Sequence, residues 1–404
     1  MTNIDPLRVD EGRQSWGAVF AMSLGAFALV ASEFLPVSLL TPIAAELHIS
    51  EGQAGQAISI SGAFALVTSL FISSLAGQID RKVLLLMLTL LMIVSGAVVA
   101  FAPSYGIFML GRALIGVAIG GFWSMSAATA MRLVEDRYVP RALAILNGGN
   151  ALASVLAAPL GSFLGAIIGW RWTFFCVVPV AVVAFGWKLA GLPSMKAERA
   201  SKSSNAFKLL TRPSVALGLA SAALFFMGQF TLFTYLRPFL ESVAHVGATA
   251  LSLLLLIIGV AGFIGTTLIG AFLKNNLYRT LAAIPALMAV IAVALISFGS
   301  SVAVSAVLLG MWGLVATAAP VGWWTWLART LPKDAEAGGG LMVAIVQLAI
   351  MLGATVGGLI FDANGYRATF GTSAAILVCA TALTILTARS EARATFGSQA
   401  LARN

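Results

Sequence analysis

Charge is scarce in this chain of 404 residues: Asp, Glu, Lys and Arg together make up 10% of it, where a soluble domain carries about a quarter. Water is therefore excluded as its main solvent. Histidine and cysteine are nearly missing, at two residues each. His48 and His245 have no partners at ligand spacing, and Cys176 and Cys379 fall inside apolar runs, so neither a metal site nor a disulfide is expected. Strand-length alternating blocks are lacking too, which excludes a membrane barrel. Gly338-Gly339-Gly340 has no Lys-Ser/Thr behind it and no strand before it, so it is not a phosphate loop. Nothing points to an enzyme, to ATP coupling or to a bound cofactor.

What the chain has in quantity is apolar sequence, 60% of the whole, in runs long enough to cross a hydrocarbon core of ~30 Å as helices. The runs fall at about 16–43, 53–75, 83–102, 106–131, 142–168 and 172–192, and again at about 214–236, 249–273, 280–299, 302–328, 338–361 and 368–388. The pattern predicts an all-α membrane protein of twelve spans in two six-helix bundles. Residues 1–15 read as a polar N-terminus, 16–192 as the first bundle, 193–212 as a linker with basic residues and serines, 213–389 as the second bundle and 390–404 as a tail. The apolar run after residue 15 is too long for the core of a cleaved signal peptide.

Basic residues set the orientation, because positive loops resist translocation. With both termini in the cytoplasm, all but four of the 24 lie inside: Arg171, Arg237 and Arg367 lie outside, and Arg112 is within the membrane. A net charge of +9 is then a topology signal. Charges scattered over short loops do not make a nucleic-acid face.

An internal repeat joins the bundles. Gly169-Trp170-Arg171-Trp172-Thr173-Phe174 matches Gly365-Tyr366-Arg367-Ala368-Thr369-Phe370 at an offset of 196 residues, and the same offset carries Glu33-Phe34 onto Gln229-Phe230. Repeats in parallel orientation place a binding site at their interface, near mid-membrane.

Glu33 is the acidic residue that lies well inside a span, and an intramembrane carboxylate marks function by default. Arg112 is read as the one basic residue well inside a span. Helical rise puts Glu33 about 25 Å from Trp16 and Arg112 about 10 Å from Tyr105, which places the two at similar depth and predicts a direct or water-bridged pair. Pro36 removes a helical bond to the Ser32 carbonyl, so a kink beside the acid is expected. Pro159 and Gly161, with Gly165 and Gly169, give the fifth span a small-residue face for close helix approach or gating. Asn147, Asn150, Gln229, Thr234, Tyr235 and Gln347 are polar groups on apolar spans that could line a cavity. Trp123 and Trp323 are expected at that cavity, and Trp326 at an interfacial belt.

Asp80-Arg81-Lys82 between spans two and three, Arg112-Ala113-Leu114-Ile115-Gly116 in span four and Ala158-Pro159-Leu160-Gly161 in span five resemble the major facilitator superfamily over nearly the whole chain. Within it the chain is similar to the twelve-span drug:proton antiporters. Glu33-Phe34-Leu35-Pro36 and Gly120-Gly121-Phe122-Trp123 look closest to the purine ribonucleoside efflux pumps, with sugar effluxers near them. The resemblance implies alternating access, proton as coupling ion with no other cofactor, proton coupling at Arg112, gating at Asp80 and Arg81, and inosine, guanosine, adenosine or purine analogues as cargo. It also implies a bacterial inner-membrane location and no obligate protein partner. Ala76 and Leu84-Leu85 depart from the superfamily's usual loop motif.

Overall fold

The computed structural model describes residues 15–75, 79–195, 206–332 and 334–401. Most of the predicted N-terminus, the middle of the linker, the Ala76–Gly77 end of the loop motif and the last residues of the tail lie outside these. Helix is the dominant element, and no strand occurs among the described residues. A span without water must satisfy its backbone internally, and helices do this from local sequence alone. In chain order they are α1 (Trp16–Leu47), α2 (Glu51–Leu75), α3 (Arg81–Ala100), α4 (Tyr105–Arg132), α5 (Val139–Phe175), α6 (Val177–Gly191), α7 (Pro213–Phe233), α8 (Leu236–Ser242), α9 (Ala248–Phe298), α10 (Val302–Ala316), α11 (Ala319–Thr330) and α12 (Ala335–Leu401).

Among the described residues, ten stretches are long and apolar enough to cross a membrane. Two of them, Asp136–Gly191 and Ala337–Glu391, run 56 and 55 residues, about twice what one crossing needs. Each is broken at one residue of positive φ, Gly169 (φ 81°) and Gly365 (φ 73°), a conformation open to glycine because it has no Cβ. These are the first residues of the two matching hexapeptides, so the repeat seen in sequence is also a repeat of backbone.

The two histidines mark the repeat a second time. His48 (φ 54°) and His245 (φ 52°) are the non-glycine residues with left-handed backbone among the described residues. Both are exposed. His48 ends α1, and His245 follows α8, at the equivalent place in the second half.

Apolar packing is concentrated within each half, with Val37, Ile58 and Ala158 of the first joining the larger core of the second. One core joins helices of the first half around Met22, Leu88, Ile119 and Phe122, and a larger one joins those of the second half around Phe225, Leu251, Met288 and Trp326. The halves touch where α2 meets the first arm of α12 and where α5 meets the first arm of α9. There Thr355 Oγ1 donates to Ser59 Oγ at 2.9 Å.

Hydrogen bonds between the halves gather at the end of the bundle away from Trp16, here called the far end. Ser50 Oγ donates to Asp362 Oδ2 at 2.5 Å and the Gly52 N–H to Asp362 Oδ1 at 2.9 Å. Arg237 donates to the Ser38 carbonyl and also holds Glu241 at 2.8 Å. The molecule is thus latched at its far end.

Candidate functional site

Proline builds the site from α1. Pro36 and Pro42 both lie inside this helix, and each leaves the carbonyl four residues earlier without its helical N–H. The two orphaned oxygens belong to Ser32 and Ser38. Arginines take both. Arg112 Nη1 donates to the Ser32 carbonyl at 2.7 Å, and Arg237, from the other half, donates to that of Ser38.

Arg112 is fully buried on α4. Beyond Ser32, its Nε donates to the Ala57 carbonyl at 3.2 Å, and Nη2 to the Glu33 carbonyl at 3.2 Å and to Ser61 Oγ at 3.3 Å. The guanidinium thus binds α4 to α1 and α2 through backbone oxygens. Of the expected direct or water-bridged pair with the Glu33 carboxyl, the direct form does not occur: no ion pair joins them among the described residues, because the freed backbone carbonyls offer acceptors to the planar fork. The two remain neighbours at one depth, and the arginine's charge acts on the carboxyl through space.

Glu33 is half-buried on a helix whose residues 28–32 and 35–40 are all buried. Its side chain therefore faces an internal opening at the junction of the halves. Gln347, from α12, is a hydrogen-bond partner of its carboxyl. Phe34 stacks on Phe230, with centroids 6.1 Å apart and planes at 18°. These two phenylalanines are equivalents in the repeat, so the pseudo-symmetry axis runs beside Glu33. Trp123 packs with Phe27 and Phe34 on the apolar patch of Val30, Ala31, Ala153 and Ala157. Gln229 precedes Phe230 on α7. The Oε1 atoms of Gln229 and Gln347 are buried with no partner in the protein, and buried amides without partners are exceptions that mark ligand or water positions.

Other expected residues stand elsewhere. Tyr235 is fully buried, donates to the Ala354 carbonyl at 2.7 Å and stacks on Phe361 at 5.2 Å. It lies against Gly55 and Gly358, so it is part of the far-end seal and lines no cavity. Trp323 is buried at 2% exposure, edge-on to Trp326, in the core of the second half. Trp326 is no belt residue: it is fully buried and donates to Tyr278 Oη at 2.9 Å. Asn147 is exposed and bonds back to the Leu143 carbonyl at 2.9 Å; Asn150, half-buried, lies one turn from Ala153.

Gly161 packs onto α1, where a Cβ would overlap Ser38 and Leu35. Pro159 frees the Val155 carbonyl, which faces Gly259 of the other half. Asp80 caps α3, accepting from the Lys82 N–H at 2.7 Å and from Ser194 Oγ, while the Arg81 N–H donates to the Met195 carbonyl at 2.9 Å. Slight desolvation works against ionisation of Asp80, but the bonds from Ser194, Met195, Lys82 and Val83 outweigh it and hold its carboxyl below the ordinary value. These contacts lie within the first half, so they tie the start of α3 to the segment after α6.

Lys188 was counted among the loop charges, and the structure corrects this. It is buried at 1% exposure on α6, with Nζ donating to Thr89 Oγ1 at 2.9 Å and lying 5.2 Å from the Phe122 ring centre. Its place three residues from the helix end hid it from a reading by hydropathy. Asp362 was missed for the same reason. No cluster of metal-ligating side chains occurs among the described residues.

A fold of paired helical bundles, with ionisable groups buried where they meet, defines a multi-span membrane transporter. The chain matches the family model described as Major Facilitator Superfamily over residues 22–339, and it belongs to that superfamily. A Pseudomonas aeruginosa protein named transcription regulatory protein OpdE is 63% identical over 94% of this chain and 96% of its own length. The purine ribonucleoside efflux pump NepI of Salmonella paratyphi B is 42% identical over 95% of this chain and 96% of its own. Among solved structures, a bacterial homologue of the human lysosomal transporter Spinster, in an inward-facing and unoccupied conformation, superposes with a TM-score of 0.73 at 15% identity, covering 94% of this chain and 98% of that one.

Proposed function

We propose that the chain is a proton-driven exporter of purine ribonucleosides and purine analogues, working by alternating access between its two halves. The observation that carries this is Glu33, a carboxyl open to the inside of the bundle, facing Gln347 of the other half and backed by Arg112. A group so placed can bind a proton in one state and release it in the other, and cargo bound beside it would respond to its charge. The unpartnered amide oxygens of Gln229 and Gln347 supply hydrogen-bond acceptors, and Trp123 supplies a flat surface for a purine ring. The name of the Salmonella relatives supports that cargo; sugars would use the same amides without needing Trp123.

Twelve spans, both termini in the cytoplasm of a bacterium and residence in its inner membrane complete the proposal. The described basic residues at the far end are Arg171, Arg237 and Arg367, which supports the far end as the outer one. The latched far end then makes this the inward-facing state. For a neutral nucleoside exchanged against one proton, a pH unit contributes about 1.4 kcal/mol and 100 mV about 2.3 kcal/mol, enough together for a gradient of roughly several hundred-fold.

The test is transport by reconstituted proteoliposomes under an imposed pH gradient, with inosine, a sugar and a lipophilic cation as cargo. Inosine should accumulate uphill, Glu33→Gln should abolish this while the protein still folds, and Trp123→Ala should reduce nucleoside more than sugar transport. Undiminished uphill transport by Glu33→Gln overturns the assignment. A regulatory role, favoured by the Pseudomonas relative's name, is compatible with export: a pump that removes an inducer alters transcription without touching DNA. Glu33→Gln then loses both effects together.

A further inference from the structure

We propose that Lys188 is a second proton-carrying group of the transport cycle, beside Glu33. The inference rests on the proton-driven reading above. A lysine three residues from the end of a membrane helix ordinarily extends toward the interface and keeps its charge wet. Lys188 does the reverse. Its side chain turns into the first bundle, and Nζ reaches Thr89 on α3 and the face of Phe122 on α4. On α1 it meets Gly25, where a Cβ would overlap Nζ, so the glycine makes the room the amine occupies.

The surroundings offer little to a fixed charge. Thr89 Oγ1 gives its own proton to the Leu85 carbonyl at 2.7 Å and so serves Nζ as an acceptor. An ammonium would have this one oxygen for three N–H groups. The helices around it carry Glu33 and Glu46 (α1), Arg81 and Lys82 (α3), Tyr105, Arg112 and Arg132 (α4), and Arg141 and Arg171 (α5). Among the described residues, none of these is joined to Nζ by a hydrogen bond or ion pair. A buried cation without a carboxylate is a poor structural strut, yet an amine that gains and loses a proton fits the site. Gly25 and Glu33 are eight residues apart on one helix, about 12 Å along its axis. A charge appearing at Lys188 therefore acts on the segment that holds Glu33, and both protons would leave in the latched state described here.

The experiment counts protons released when purified, full-length protein in weakly buffered detergent binds inosine, read with a pH indicator. Wild type is expected to release two per bound inosine, Lys188→Met one, Glu33→Gln one and the double variant none. Lys188→Met should melt at or above the wild-type temperature, whereas a purely structural lysine would lower the melting point and leave the count alone. Gly25→Ala keeps the lysine but displaces Nζ, and should shift the pH midpoint of release by at least half a unit. An unchanged count in Lys188→Met, or, if that variant does not fold, an unchanged midpoint in Gly25→Ala, overturns the proposal and leaves the exporter reading standing. A wild type that binds inosine and releases no proton defeats the proton-driven reading itself.

Discussion

Ser32 and Ser38 show how single residues direct this molecule. Each carbonyl is released by a proline four positions on, and each is taken by an arginine from another helix. Arg112→Lys should therefore be far from conservative, since three N–H groups on one nitrogen cannot span the acceptors on Ala57, Ser32, Glu33 and Ser61 that a planar fork reaches. A buried carbonyl left unpaired costs about 1–3 kcal/mol, and the loss should appear as a lower melting temperature in detergent. Adding Pro36→Ala should recover part of it, because alanine returns the helical N–H to Ser32. Asp80 supports a different test. Its carboxyl is ionised more readily folded than unfolded, so its contribution is present above its ordinary value of 3.8 and fades as pH falls through the lower folded one. The difference in melting between wild type and Asp80→Asn should accordingly exist at neutral pH and close in strong acid.

Helices α1 and α5 meet along glycines and alanines four residues apart, at Gly149, Ala153, Ala157, Gly161 and Gly165. The obstacles differ along the seam. At Gly149 a Cβ would strike the backbone carbonyl of Ser23, which cannot turn away; at Gly161 it meets the side chains of Ser38 and Leu35. Gly149→Ala should therefore destabilise more than Gly161→Ala, by about 1–3 kcal/mol against a smaller loss, as compared by thermal melting. Gly161 and Gly165 made one end of this seam visible in sequence as a surface for close approach, but not its extension to Gly149 or which helix would fill it. Tyr235, Trp323 and Lys188 were misplaced for a related reason. Hydropathy reports how much of a helix is apolar, whereas the direction of one side chain depends on the neighbour that receives it, and Gly25, Gly55 and Gly358 give no hint of being receptors until the helices are packed.

Across the whole molecule, polar contacts hold the two halves together toward the far end. Asp362 binds the start of α2 through Ser50 and Gly52, so Asp362→Ala should favour opening there. Spin labels at exposed His48 and Arg367, in a background lacking Cys176 and Cys379, should show a longer distance population than the parent. The duplicated framework was readable at this scale because the Gly-x-Arg-x-Thr-Phe segments fix equivalent bends. The asymmetry laid over it is chemical: at the offset of the repeat, Glu33, Pro36 and Arg112 correspond to Gln229, Leu232 and Leu308. The second half has no copy of this trio. On the proposed reading, the drive belongs to the first half, while cargo contacts come from both, Trp123 from the first and Gln229 and Gln347 from the second. A chimera joining residues 1–195 of this chain to the second half of a relative should then keep its dependence on the proton gradient.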